Sequence, residues 1–113
     1  MRVAVIGSRG LSVPNLDDYL PSETTEIVSG GARGVDTSAR EYALSKGIGI
    51  TEFLPEYDKY GRSAPIKRNI TIIENADIVF AFWDGQSRGT RFVIEECRRR
   101  DVPVRIFIPK KPQ

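Results

Sequence analysis

The sequence predicts an α/β fold, a Rossmann-like three-layer sandwich built on a parallel five-stranded sheet. Short apolar runs alternate along the chain with helical patterns, the order expected when each strand is followed by a crossover helix. The first run, residues 2–7, is apolar at successive positions rather than at every second one, as in a strand buried on both faces. For a fold of this kind we expect the strand order 3-2-1-4-5. The 113 residues fit one domain that spans residues 1–113.

The predicted strands are apolar runs bounded by turn residues, at 2–7, 25–29, 48–53, 77–83 and 104–108. The patterns between them predict helices at 13–20, 32–46, 64–75 and 88–100, and residues 55–63 form the longest irregular segment. The residues expected to face inward from the last three helices are Val35, Ala39, Tyr42, Ala43, Ile66, Ile70, Ile73, Val93, Ile94 and Cys97. Residues 109–113 form a predicted frayed end.

The composition excludes several classes of protein. The chain has no histidine and one cysteine, Cys97, so it lacks the usual zinc ligands and every Ser-His-Asp or Cys-His catalytic arrangement. We therefore expect neither a metal site nor a cofactor. The net charge of +2 argues against a nucleic-acid binder that works by charge alone. The first apolar run is too short for a signal peptide or a membrane span, which predicts a cytoplasmic protein without membrane contact.

The most informative segment is residues 29–36, Ser-Gly-Gly-Ala-Arg-Gly-Val-Asp, which follows an apolar run and opens a helical pattern. Glycine lets backbone N–H groups approach a ligand closely, and the positive end of the helix dipole points at the same place. Arg33 adds a positive charge, so the segment predicts an anion site, and phosphate is the anion that we expect. The alternative is a strand-to-helix turn that needs glycine for its backbone alone.

Three turns of similar composition fall at one predicted edge of the sheet. Residues 7–10 follow the first strand, 30–34 the second and 84–90 the fourth; all three turns contain glycine and arginine, and the first and third also contain hydroxyl side chains. The carboxyl ends of parallel strands share one edge, and ligands bind there at the reversal of strand order. The turns at the opposite edge lack this enrichment. We therefore expect these three turns to form one site.

Donor chemistry suggests a role for each polar group of this site. The backbone amides of residues 31–34 and 87–90 are candidates to cradle phosphate oxygens, together with nearby hydroxyls and guanidinium groups. The side chains concerned are Ser8, Ser87, Thr90, Arg9, Arg33 and Arg68. Asp36 either caps the glycine loop or accepts a hydrogen bond from a ribose hydroxyl. Trp83 either stacks on a base or packs beneath the site, and the tyrosines of residues 57–60 either cover a base or close their loop over the core.

Two familiar phosphate motifs are missing. The chain has no GxxxxGK[ST], which argues against a P-loop ATPase, and no GxGxxG after the first strand, which argues against an ordinary NAD site.

The motifs that are present resemble those of the SLOG superfamily, which groups the DNA-processing protein DprA (Smf) with the LOG phosphoribohydrolases. They are Gly7-Ser8-Arg9, residues 29–36, Arg68-Asn69 and residues 82–90, in that order along the chain. The resemblance runs from residue 3 to residue 108. It is greatest to small stand-alone YspA-like members, in which the element Trp-Asp-Gly-x-Ser-x-Gly-Thr, here residues 83–90, is typical.

The resemblance implies a SLOG-like domain that binds a nucleotide or nucleotide-derived small molecule, as a sensor or ligand-binding module. The candidate ligand-binding residues are Gly7, Ser8, Arg9, Gly30, Gly31, Ala32, Arg33, Gly34, Asp36, Arg68, Asn69, Trp83, Asp84, Gly85, Ser87, Gly89 and Thr90.

Two alternatives stay open. One is a LOG-like hydrolase of a nucleotide N-glycosidic or phosphoester bond, with Glu95 or Asp84 as acid and base. Its LOG-type glutamate is replaced here by Val93. The other is a DprA-like binder of single-stranded nucleic acid. A homodimer is implied by the resemblance alone.

Overall fold

Five short apolar segments form the sheet of the computed structural model, which describes residues 1–109. The strands are Arg2–Gly7 (β1), Glu26–Ser29 (β2), Gly49–Glu52 (β3), Ile78–Phe82 (β4) and Val104–Phe107 (β5). They pair in parallel in the order β3-β2-β1-β4-β5, which confirms the predicted fold class and strand order. Apart from Pro109, the frayed end predicted for residues 109–113 lies outside the described residues.

Four α-helices connect these strands. They are Val35–Lys46 (α1), Tyr57–Tyr60 (α2), Ala64–Glu74 (α3) and Arg88–Arg99 (α4), and short 3-10 turns cover Leu16–Asp18 and Gly61–Ser63. Helix α1 packs against one face of the sheet, and α3 and α4 pack against the other. None of the helices within residues 1–109 has both the length and the apolar character needed to cross a membrane.

The sheet is buried on both faces, which explains its continuous apolar runs. Alternate residues of β1 enter opposite cores: Val3 and Val5 pack with the α1 side, whereas Ala4 and Ile6 pack with α3 and α4. Cys97 belongs to the second core, where burial raises the pKa of its thiol to about 11. The thiol therefore acts as a small apolar group, as its place in the helical pattern predicts.

The helix predicted at residues 13–20 is wrong, because only Leu16–Asp18 forms a 3-10 turn there. Val13 precedes a proline, a position at which helical backbone is disfavoured. Its N–H instead donates to Ser38 Oγ in α1 at 2.9 Å. The apolar residues Val13, Leu16 and Leu20 are nevertheless buried in the core, so the spacing that suggested a helix reflects burial.

Other boundaries also differ from the prediction. Helix α1 begins at Val35 rather than at residue 32, because Gly34 has a φ of +73° that no right-handed helix accommodates. The segment predicted as irregular, residues 55–63, contains α2 and a 3-10 turn. Ile66 does not face inward as expected but is 47% exposed, and Tyr42 and Ile70 are only partly buried.

Candidate functional site

The three glycine-rich turns meet around one cavity at the carboxyl edge of the sheet. The cavity has a volume of about 450 Å³ and lies where the strand order reverses between β1 and β4. It receives residues from the turns after β1, β2 and β4 and from helix α3. This is the position at which open α/β sheets bind ligands.

The turns after β1 and β4 are joined through Ser8. Its N–H donates to the carbonyl of Phe82 at 3.0 Å, and its Oγ accepts the N–H of Asp84 at 3.2 Å. Ser8 is almost fully buried and lines the cavity. Since the oxygen of Ser8 is used as an acceptor, its hydroxyl proton remains the part of the group that can be donated to a ligand.

The glycine loop after β2 is fastened to α3 by Arg68. The Nη1 atom of Arg68 donates to the carbonyl of Gly30 at 2.9 Å and to that of Phe53 at 3.4 Å, and Nε donates to Asn69 Oδ1 at 2.9 Å. A Cβ at position 30 would lie 2.6 Å from Arg68 Nη1 and 3.2 Å from an oxygen of Asp36. Glycine at position 30 therefore leaves room for the guanidinium and the carboxylate side by side.

Asp36 caps the glycine loop from the first turn of α1. Its Oδ2 accepts the N–H of Ala32 at 3.0 Å, and the residue is 8% exposed. Burial raises the pKa of this carboxyl above its ordinary value, and the hydrogen bond from Ala32 opposes the rise. The geometry thus supports the capping role, and it takes the Ala32 amide out of the set of predicted phosphate donors.

The N-terminus of α4 is organised by its own side chains. Ser87 is the N-cap, and its Oγ accepts the N–H of Thr90 at 3.4 Å and donates to Thr90 Oγ1 at 2.9 Å. Asp84 Oδ1 accepts the N–H groups of Gln86 and Ser87 at 2.8 and 2.7 Å. The amides of Ser87 and Thr90, two of the predicted donors, therefore already have acceptors within the loop.

Trp83 holds the same loop from outside the cavity. Its indole N–H donates to the carbonyl of Ser87 at 3.0 Å, and its ring packs against the core formed with α3 and α4. Of the two roles considered for Trp83, the structure shows packing.

Several donors at the cavity remain available for a ligand. Within residues 1–109, neither Arg68 Nη2 nor Asn69 Nδ2 makes a hydrogen bond, and exposed Arg9 makes no ion pair. Gly89 lies in the first turn of α4, where backbone N–H groups have no acceptor within the helix. Burial lowers the pKa of Arg68; the charge of Asp36 opposes this effect, and the charge of Arg9 adds a smaller contribution to it. Asp36 and Asp84 also line the cavity, but their carboxylates accept backbone N–H groups, which leaves donors of Arg9 and Arg68 to favour an anionic ligand.

The structure brings twelve of the candidate residues together around the cavity: Gly7, Ser8, Arg9, Gly30, Ala32, Asp36, Arg68, Asn69, Asp84, Ser87, Gly89 and Thr90. The other five, Gly31, Arg33, Gly34, Trp83 and Gly85, do not line it. Arg33 is exposed. Gly34 instead forms the contact between the glycine loop and the turn after β1, where a Cβ would meet the carbonyl oxygens of Arg9 and Leu11.

Five further residues that were not among the candidates also line the cavity: Ile6, Gly10, Pro65, Ile72 and Val93. Gly10 belongs to the glycine-rich turn at residues 7–10. The apolar side chains have no chemical signature in the sequence that separates the wall of a cavity from the core.

Of the two acids considered for hydrolysis, Asp84 lines the cavity and Glu95 does not. Glu95 is exposed on α4, pairs with Arg91 at 3.0 Å and does not line the cavity. Asp84 lines the cavity and holds the turn before α4. Within residues 1–109 no group of three or more cysteine, aspartate or glutamate side chains is arranged to hold a metal ion.

Comparison with known proteins gives one relative in sequence and one in structure. No protein-family model matches the chain. The gene 61 protein of Mycobacterium phage D29 is 34% identical over 84 residues, which cover 69% of this chain and 67% of the phage protein.

The structural relative is DNA processing protein A (DprA) from Streptococcus pneumoniae, whose crystal structure superposes with a TM-score of 0.78 at 23% sequence identity. The match covers 97% of this chain and 50% of that chain, so the present chain spans half the length of its structural relative. The two share the fold of this α/β unit.

Proposed function

The chain belongs to the same family as the gene 61 protein of Mycobacterium phage D29, and we propose that it is a ligand-binding module for a nucleotide or phosphorylated nucleotide derivative. The observation that carries the proposal is the convergence on one cavity of three glycine-bearing turns, two of which also supply hydroxyls, and of two arginines. Its volume of about 450 Å³ falls in the range of small-molecule sites. The SLOG-like motifs point to the same class of ligand.

The phosphate is held by donors from separate elements. Arg68 Nη2 and Asn69 Nδ2 come from α3, Arg9 from the turn after β1, and the Gly89 N–H from the start of α4. The N-terminal end of the α4 dipole adds to the attraction. The hydrogen bonds between Arg68 and the glycine loop fix the guanidinium before the ligand arrives, which reduces the entropy lost on binding.

A second candidate function is the binding of single-stranded nucleic acid. The fold shared with a DNA processing protein supports it, as does exposed Arg9 at the cavity. In that case the cavity holds one phosphate of a strand rather than that of a free nucleotide. Hydrolysis has less support, since Glu95 lies outside the cavity lining.

The experiment compares Arg9→Ala with Arg33→Ala by isothermal titration calorimetry against a panel of nucleoside monophosphates, the parent nucleosides and inorganic phosphate. Both arginines are exposed and belong to glycine-rich turns, but only Arg9 lines the cavity. We expect Arg9→Ala to weaken binding of the monophosphates about tenfold or more, since hydrogen bonds to charged groups contribute about 1.5–3 kcal/mol. Arg33→Ala should bind like the unaltered protein.

Three results would contradict the proposal. The first is the lack of any heat of binding and any thermal shift with every monophosphate. The second is equal affinity for a nucleoside and its phosphate, since the proposed contacts are to the phosphate. The third is an equal loss in both variants, which would place the ligand elsewhere on the glycine-rich edge.

A further inference from the structure

Large apolar side chains are exposed directly beside the cavity, on the segment from β3 to the start of α3. Leu54 is 63% exposed, Tyr57 57%, Ile66 47% and Tyr60 37%. We call these four residues the tyrosine rim. The sequence left open whether the tyrosines close their loop over the core, and their exposure shows that they do not. Exposed aromatic rings at the edge of a ligand cavity are typical of contact surfaces.

The tyrosine rim is continuous with the cavity. Pro65 and Arg68 line the cavity, and Ile66 lies between them on α3. Tyr57 is close enough to Arg68 to affect the pKa of its guanidinium. Residues 55–59 also line a second concavity of about 530 Å³, whose wall includes Tyr57. Residues of the cavity lining and of the tyrosine rim therefore alternate at the start of α3.

Positive charge is concentrated around Tyr60. The Nζ atoms of Lys59 and Lys67 lie 5.1 and 5.8 Å from the centroid of its ring. Arg62 is exposed nearby, so this segment and Arg68 supply four cations, while the acids on the same segment are Glu56 and Asp58. The ammonium groups of Lys59 and Lys67 both lie near the Tyr60 ring, and together they attract a phosphate anion.

We infer that the tyrosine rim and its lysines bind a second nucleotide unit, with a base stacked on Tyr57 and a phosphate held by Lys59 and Lys67. The ligand is then one with at least two nucleotide units, either a dinucleotide or a single strand. The inference rests on the proposed function, because it takes the first phosphate to lie in the cavity. Aromatic stacking with flanking cations is the chemistry by which proteins hold unpaired bases.

A second copy of the chain fits this surface less well. Symmetric contact through the tyrosine rim would bring Lys59, Lys67 and Arg62 of two copies together, and like charges at an interface oppose association. The same charges attract a phosphodiester backbone.

The test measures the affinity of the whole chain for dTMP, for the 5′-phosphorylated dinucleotide pdTpdT and for 5′-phosphorylated dT8. We expect pdTpdT to bind at least fivefold more tightly than dTMP, a gain that Tyr57→Ala removes and Tyr57→Phe retains, because stacking needs the ring and not the hydroxyl. If dT8 binds more tightly than pdTpdT, the ligand is a strand. Equal affinities of the two would identify a ligand of dinucleotide size.

Lysine variants test the phosphate contact separately. Lys67→Ala should weaken pdTpdT binding and lower its salt dependence by the equivalent of about one phosphate contact. The matched control is Lys46→Ala, whose Nζ lies 6.0 Å from the ring centroid of Tyr42 in the last turn of α1. This variant should bind all three ligands like the unaltered protein.

The outcomes separate this inference from the proposed function. If the unaltered protein binds dTMP but gains nothing with pdTpdT or dT8, or if Tyr57→Ala keeps the gain, only the rim assignment is overturned. If it binds none of the three, both proposals fall.

Discussion

Arg68 connects the fold to the candidate site. Its Nη1 donates to the carbonyls of Gly30 and Phe53, and its Nε donates to Asn69 Oδ1. The third nitrogen, Nη2, makes no hydrogen bond within residues 1–109 and is available to a ligand. Its neighbour Asp36 is a buried carboxylate whose nearby positive charge comes from Arg68. Asp36 and Arg68 thus place opposite charges near each other at the cavity, where each opposes the effect of burial on the pKa of the other.

Asp36 gives the stability of the protein a specific pH dependence. Burial raises the pKa of this carboxyl in the folded state above its ordinary value of 3.8, so the folded chain holds the proton more tightly than the unfolded chain. The contribution of Asp36 to stability is therefore greatest below pH 3.8 and falls as the pH rises through the folded-state pKa. Asp36→Asn keeps an oxygen for the Ala32 amide and removes the charge.

We accordingly expect the free energy of unfolding of the unaltered protein, minus that of Asp36→Asn, to fall as the pH rises from about 4 to 7. Urea titrations of both proteins at a series of pH values measure this difference. A difference that stays constant or increases over the range would show that the raised pKa has been assigned to the wrong group.

At the scale of single residues, the sequence predicts which residue types meet but not which way each points. Arg9, Arg33 and Arg68 look equally suitable in the sequence, yet only Arg9 and Arg68 line the cavity. The positive φ angles of Gly31 and Gly34 determine which side of their loop faces inward. Glycine permits such angles without requiring them, so the position of Arg33 could not be read from the sequence.

The first turn of α4 is the element on which the site depends most. Its N-cap, Ser87, satisfies the Thr90 amide and is itself held by Asp84 and by the indole of Trp83. Gly89 of this turn lines the cavity, and a Cβ at position 89 would meet nothing within 4 Å. A loss of the cap would therefore affect both the helix and the edge of the site.

We expect Ser87→Ala to lower the free energy of unfolding by about 1 kcal/mol, the usual cost of removing a serine N-cap. The matched control is Ser45→Ala, because the Ser45 hydroxyl is exposed and donates to the Tyr42 carbonyl in the last turn of α1. Its effect should stay within about 0.5 kcal/mol. Urea unfolding at neutral pH measures both. Equal losses in the two variants would mean that the cap adds nothing beyond an ordinary surface hydroxyl.

Helices were predicted accurately where the apolar period agreed with a capping residue. The prediction failed where it rested on the spacing of apolar residues alone. Helix α4 was predicted at residues 88–100 and covers Arg88–Arg99, since its apolar stripe is preceded by a capping serine. The segment at residues 13–20 has the apolar spacing of a helix, but Pro14 restricts the residue before it. The short helix Tyr57–Tyr60 has no buried face, and so no apolar period marked it.

At the scale of the whole molecule, the fold class followed from the alternation of buried runs and helices, whereas the strand order came from analogy with doubly wound sheets. The confirmed order places β1 and β4 side by side, and this adjacency brings the turns after them to one cavity. The convergence of distant turns is therefore a property of topology that no local stretch of sequence contains.

The two cores on opposite faces of one sheet predict a single cooperative unfolding transition. Ile27 lies in the core on the α1 side and Ile73 in the core on the α3 and α4 side, and both are fully buried. Each Ile→Val change removes one buried methylene, so we expect each to lower the free energy of unfolding by about 0.5–1.5 kcal/mol. Urea titrations followed by circular dichroism and by Trp83 fluorescence should give coincident curves.

The double variant Ile27→Val/Ile73→Val tests whether the two cores unfold together. Since the two side chains lie on opposite faces of the sheet, their effects should add to within about 0.5 kcal/mol, with no change in the dependence of the free energy on urea concentration. Separate transitions for the two probes, or a smaller urea dependence in one variant, would mean that one core unfolds before the other. The carboxyl edge of the sheet would then lose its rigid support, because the cavity is lined by Asp36 of α1 on one face of the sheet and by Ile72 of α3 on the other.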